Sequence, residues 1–309
     1  MSTEELTAAS TEAEARAAFL SRAGGPALGA RTLLDRAAEL LPGVVDATSD
    51  VETALSELAA HAAIRPASAA SAVPAAPAAS AASAAPAVPA APVAWGLDLV
   101  TGALRRVPVP ASGSPVGVAA GLTWVSALES GLAQHCEALL ARRVGAPGTR
   151  VPRLCLAGEG HAVPGALLRA LDAEGEPVAH DLSALLSLPA CAVGIARRTE
   201  PAPERGPAPE RDTVVATGST LAVAVRTAVE RALSSRRARA AGRSVPHAFP
   251  AIGRERETDA PRLPPSAQWS HPLDALHSQG HSPVAVLLDH DPRVSEVLPY
   301  LVRIVLSAK

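Results

Sequence analysis

The run GVAAGLTWVSALESGLAQHCEALL, residues 117–140, changes character midway. Residues 117–121 form a small-residue approach, and 124–143 then reads as a long helix. Working outward, residues 95–100 and 104–109 read as two strands around Thr101-Gly102, a hairpin turn. Downstream, 153–157 reads as a strand and 163–174 as a helix ended by Gly175. Residues 177–181 and 190–196 read as strands, the latter around the apolar Cys191-Ala192-Val193-Gly194-Ile195. A run at 214–218 leads into a third strong helix at 221–241. Residues 273–279 form a short helix ended by Gly280, and strands follow at 283–288 and 300–306. Strands and helices interleave, so the fold class is α/β.

Further out the pattern is simpler. Residues 4–22, 31–41 and 50–63 read as helices, with Asp50 as the N-cap of the third and Val44-Val45 as the start of a short strand. Residues 66–92 repeat Ala, Pro and Ser; such a segment buries too little surface to offset its ordering entropy and is expected to be disordered. The expected organisation is a small helical N-terminal region at 1–65, a low-complexity linker at 66–94 and an α/β domain at 95–309. Within that domain, 199–212 carries Pro-Ala-Pro-Glu-Arg twice and reads as a loop, and 242–268 reads as irregular.

Composition excludes several functions. Net charge is -2, without the basic footprint of a nucleic-acid binder. Aromatics are 2% of the chain, too few for a base-stacking platform. The acidic residues 1–14 are no signal peptide, and no apolar run of about 18 residues suggests a membrane span. The cytoplasm is the expected location. Cys136, Cys155 and Cys191 lack CxxC spacing and read as reduced thiols. The one lysine is Lys309, so no Walker A lysine, kinase strand lysine or Schiff-base lysine is on offer. Gly158-Glu159-Gly160 reads as a loop. His271, His277, His281 and His290 lie among Asp274, Asp289 and Asp291, but Gly280 breaks the helical spacing and no His-Glu-x-x-His occurs; they read as surface histidines rather than a zinc site. No Gly-x-Ser-x-Gly elbow supports a hydrolase.

Three pieces resemble the YcaO family. Gly117-Val-Ala-Ala-Gly121 with the helix after it is similar to the family's Gly-rich turn opening a helix with Glu-x-x-Glu-Arg. Residues 224–236 are similar to the helix that carries an acid, a glutamine and an arginine. Residues 276–306, with Gln279-Gly280-His281 and Asp289-His290-Asp291, are similar to the closing unit. The order of elements agrees from Leu97 onward. The resemblance implies a YcaO-like mixed sheet with packed helices. It also implies Mg-ATP, held by carboxylates on the metal and arginine on the phosphates. ATP would activate a peptide amide oxygen, for attack by Cys, Ser or Thr to give an azoline, or by sulfide to give a thioamide.

Carried over by position, the nucleotide-contacting residues are Gln134, Glu137 and Arg236, with Glu137 the metal ligand. The departures are plain. Gln134 stands at the first carboxylate position and Ala138 at the arginine. Arg231 stands at the acidic position of the second helix and Ser234 at the glutamine. No counterpart of the family's first ATP helix precedes Gly117, and residues 66–94 contain no acid. Without a role at a site, Glu137 would be a partly solvated helix residue and Arg236 part of the solvated run Arg236-Arg237-Ala238-Arg239. No catalytic residue is assigned.

These residues favour a degenerate YcaO-like accessory or substrate-binding subunit of an azoline-forming, thiopeptide- or bacteriocin-type pathway, a pseudoenzyme without bound nucleotide. Its partners would be a precursor peptide, a complete cyclodehydratase subunit, or both, in a homo- or hetero-oligomer. Two alternatives stay open: an active ATP-dependent cyclodehydratase or thioamide-forming enzyme, and an unrelated binding scaffold.

Overall fold

The computed structural model describes residues 3–45, 50–64, 93–109, 116–156, 163–196, 213–240, 252, 257–258, 269–288 and 300–308. They fall into two compact units, one of residues 1–132 with 280–309 and the other of 133–279. The expected linker at 66–94 lies outside the described residues as far as 92, while Val93 and Ala94 belong to a strand; the repeat loop at 199–212, the Gly158-Glu159-Gly160 loop and His290 also lie outside.

The first unit opens with helices α1 (Thr3–Ala23), α2 (Ala30–Leu40) and α3 (Val51–Ile64). Asp50 caps α3, its carboxylate accepting the Thr53 N–H at 2.7 Å. Strands β1 (Val93–Asp98) and β2 (Leu104–Pro108) form the expected hairpin, and β3 (Val118–Ala120) leads into α4 (Trp124–Gly145). Val44-Val45 forms no strand, only an isolated bridge from Val45 to Pro42. A two-residue apolar step after Gly43, which is at φ +80°, closes a turn and finds no ladder to join.

Two strands from the chain's end complete the sheet: β9 (His281–Leu287) and β10 (Leu301–Ala308). The order is β2-β1-β9-β10-β3, antiparallel at each described pairing. Leu33 and Ala37 of α2 and Ala54 and Leu58 of α3 pack with Val118, Ala120 and Leu301. Both helical pairs are spaced i,i+4, one stripe each facing the sheet. Each such buried Leu or Val is worth about 1.5–3 kcal/mol over an exposed one.

The entry to α4 needs small residues. A Cβ on Gly121 would lie 2.5 Å from the Ala127 nitrogen and 2.9 Å from the Ser126 carbonyl carbon. The helix then starts on a reciprocal cap: Thr123 Oγ1 accepts the Ser126 N–H at 3.1 Å, and Ser126 Oγ accepts the Thr123 N–H at 3.0 Å.

The second unit holds β4 (Val151–Leu154), α5 (Gly165–Glu174), β5 (Glu176–Asp181), α6 (Ser183–Leu186), β6 (Ala190–Ala196), β7 (Thr213–Thr217), α7 (Leu221–Ala240), β8 (Glu257–Thr258) and α8 (Pro272–Ser278). The sheet order is β7-β6-β5-β4-β8, antiparallel except that β4 and β8 run parallel. The short β8 lies in a stretch expected to be irregular, and α6 is a turn of helix that no periodicity could announce at that length. Ala224, Val225, Ala228, Val229 and Ala232 form one stripe of α7 against Val193, Ile195, Val214 and Ala216 of the sheet. Three alanines in that stripe let the helix lie close to the strands.

Candidate functional site

The second unit brings α4, β7 and α7 together around one carboxylate. Glu137 is 8% exposed on α4. Its Oε1 accepts three hydrogen bonds: from Arg231 Nη1 at 2.9 Å, the Thr217 N–H at 3.1 Å and the Thr217 hydroxyl at 3.4 Å. The sheet geometry explains the Thr217 amide. Gly218 N–H bonds to the Pro189 carbonyl on the β6 side. Amides alternate along an antiparallel strand, so the Thr217 N–H points out of the sheet edge. The carboxylate of Glu137 takes it there.

Burial pushes the Glu137 carboxyl up, while Arg231 and the Thr217 donors pull the other way. Beside it, burial and the Glu137 charge push the Cys136 thiol to about 12. Cys136 is thus a protonated core side chain, its Sγ 3.7 Å from the Pro272 carbonyl.

The residues carried over from the resemblance separate here. Glu137 is engaged with Arg231 and Thr217. Arg236 faces the end of α5: its Nε is 3.6 Å from Glu174 Oε2, and its Nη2 donates to the Glu174 carbonyl at 3.3 Å. Five residues along a helix turn the direction by about 140°, so Arg231 and Arg236 leave α7 on different sides. Gln134 is half-buried one turn before Glu137 on α4. Ser234 is exposed.

The partly solvated reading of Glu137 does not describe its side chain, and the solvated reading of Arg236 holds only in part, its side chain being 28% exposed. One is buried, and the other closes a helix end, where a cation suits the C-terminal carbonyls. Thr217 and the Arg231 partnership went unread in the sequence. A signal was there: against the resemblance, Arg231 stands at an acidic position of one helix and Glu137 at a carboxylate position of the other, which gives the two helices opposite charges.

Three of the four histidines, His271, His277 and His281, lie among the described residues. His271 caps α8, its Nδ1 accepting the Leu273 N–H at 3.2 Å. His277 lies on α8, and His281 opens β9 beyond Gly280, which is at φ +81°. The helix ends before i,i+4 spacing can place the two on one face. Among the described residues no three of His, Cys, Asp and Glu are grouped to hold a metal ion. No helix of the described residues is long and apolar enough to cross a membrane.

The chain is similar in fold to a heterocyclase in complex with substrate and cofactor, with a TM-score of 0.50 and 14% identity, covering 69% of this chain and 32% of that one. It is also similar to YcaO from Methanopyrus kandleri bound with AMPPCP and Mg2+ (TM-score 0.45, 14% identity, 69% and 63% covered). A third similarity is to the E. coli microcin synthetase McbBCD complex with pro-MccB17 bound (TM-score 0.43, 12% identity, 70% and 64% covered). At these identities the likeness is one of fold. The chain spans about a third of the length of the heterocyclase it matches. No family model and no curated protein matches the sequence.

Proposed function

We propose that this chain, whose fold is YcaO-like, serves the maturation of a ribosomally made peptide as a degenerate accessory or substrate-binding subunit. The observation that carries the reading is the engagement of Glu137 by Arg231 and Thr217. A metal ligand must offer its lone pairs to the ion, and Oε1 already meets three donors. A second carboxylate beside it would be needed to balance a divalent ion, and Arg231 supplies a positive charge instead. The donor set therefore does not fit Mg-ATP as the resemblance implies it, and no chemical step is routed through the nucleotide.

The partners that suit this reading are a precursor peptide with Cys, Ser or Thr in its modified segment, and a complete cyclodehydratase subunit. The site of action is the cytoplasm, where such a peptide is made. Neither nucleic acid nor membrane is needed.

Isothermal titration tests the reading. Mg-ATP at millimolar concentration is expected to give no heat and no thermal shift, while a Cys/Ser/Thr-rich precursor peptide gives a saturable signal. A clear Mg-ATP heat that Glu137→Ala abolishes would instead bring forward an active ATP-dependent cyclodehydratase or thioamide-forming enzyme.

A further inference from the structure

We infer that Arg231 is the resident cation of the α4–β7–α7 junction, its guanidinium standing in for a divalent ion against Glu137. The inference deepens the accessory reading and rests on it for treating this junction as the nucleotide site of the resemblance.

A buried carboxylate needs compensation, since an isolated ionised group loses far more hydration than a hydrogen bond returns. Glu137 finds it within the chain. Arg231 brings one positive charge to Oε1 at 2.9 Å, and the pair is neutral. Thr217 adds the N–H and the hydroxyl. A divalent ion entering here would sit against the guanidinium, its charge opposed by that of Arg231. The Arg231 side chain is 39% exposed while that of Glu137 is 10% exposed. The arginine is thus the more solvent-exposed partner of the pair.

The lock has a second effect. Glu137 closes the outward amide at the end of the edge strand β7, and Arg231 ties the same carboxylate to α7. Three elements meet at one oxygen atom with no ligand required. The chain's own groups satisfy this oxygen, so its hydrogen bonds call for no nucleotide or metal.

The test uses the full-length protein and Mn2+ as a spectroscopic probe of divalent binding. Wild type is expected to show no stoichiometric Mn2+ binding by electron paramagnetic resonance, and no melting shift between EDTA and Mg2+. Arg231→Glu, which sets a second carboxylate against Glu137, is expected to gain Mn2+ binding that Glu137→Gln removes. Arg231→Met leaves the carboxylate buried beside an apolar chain and is expected to lower the melting temperature by roughly 4 °C or more. Adding Glu137→Gln to that variant should recover part of the loss, the coupling expected of a compensated pair.

Stoichiometric Mn2+ binding by wild type that Glu137→Gln abolishes would overturn the inference. So would strictly additive losses in the Met and Gln variants. Should Arg231→Glu fail to fold, the wild-type titration and the double-mutant comparison still decide. Peptide binding enters none of these readouts. A chain that binds neither peptide nor partner would overturn the accessory role and leave the resident cation standing.

Discussion

Asp98 joins a hairpin turn to two strands of the first unit through a single carboxylate. Its Oδ1 accepts the Val100 and Thr101 N–H groups, each at 3.0 Å. Its Oδ2 accepts the Ser282 hydroxyl at 2.8 Å and lies 3.1 Å from Arg105 Nη2. The same guanidinium group reaches the Ser307 hydroxyl at 2.7 Å. Burial alone would raise the Asp98 pKa, but the Thr101 amide, the Ser282 hydroxyl, the Val100 amide and Arg105 outweigh it and hold the pKa below the ordinary value. A depressed folded pKa stabilises the protein above the unfolded value of about 3.9 and ceases to do so as pH falls through the folded value. Asp98→Asn is therefore expected to cost about 1–2 kcal/mol at pH 7 and to flatten the decline in stability below about pH 4. Urea melts from pH 2 to 7 check both. An unchanged acid limb would mean that the carboxylate is not ionised in this network.

At the scale of elements, helix starts were the most legible feature and sheet edges the least. The Asp50 cap follows from local sequence, because the side chain that caps a helix sits within three residues of the amide it accepts. The cap of α4 is equally local. Thr123→Ala removes the acceptor for the Ser126 amide and is expected to cost about 1 kcal/mol, read as a lower denaturation midpoint at unchanged slope. Thr123→Ser keeps the hydroxyl and should keep most of the stability. Edge β2 shows what periodicity cannot reveal. The Asp98 N–H bonds to the Ala103 carbonyl, so the bonded pairs alternate to Gly96–Arg105 and Ala94–Val107. Leu104, Arg106 and Pro108 then face outward. Pro108 loses no ladder bond there, and with Arg106 it blunts an edge that could otherwise pair with another chain. In the second unit, Glu137 does part of that task for β7 at Thr217.

At the scale of the whole molecule, the chain's end completes a sheet begun near residue 93. β9 and β10 stand between β1 and β3, joining the hairpin to the strand against which α2 and α3 pack. Tyr300 strengthens this closure, its hydroxyl donating to the Pro26 carbonyl. Deleting residues 280–309 would leave β1 and β3 without the strands that link them. Such a chain is expected to lose the cooperative melting of the first unit and to expose its amides to rapid hydrogen exchange at 93–98 and 118–120. Retained protection at those positions would show that the hairpin and β3 hold without the closing strands. The division at 132/133 falls inside α4, so no break in composition or periodicity marks it.

The sequence by itself determined the interleaved α/β class, the three N-terminal helices, the β1–β2 hairpin and the long helices α4 and α7. Each rests on local information: an apolar period, a capping side chain, or a turn dipeptide such as Thr101-Gly102. The family resemblance set Glu137 at a carboxylate position of one helix and Arg231 at the acidic position of another. Tertiary structure decided that they are partners, 94 residues apart in the chain. It decided as well that Arg236 serves Glu174, and that the strands divide into two sheets, one closed by the C-terminal pair. These are long-range choices. A side chain's charge is written in its own residue, but its partner is set by which elements the core draws together, and no local period carries that.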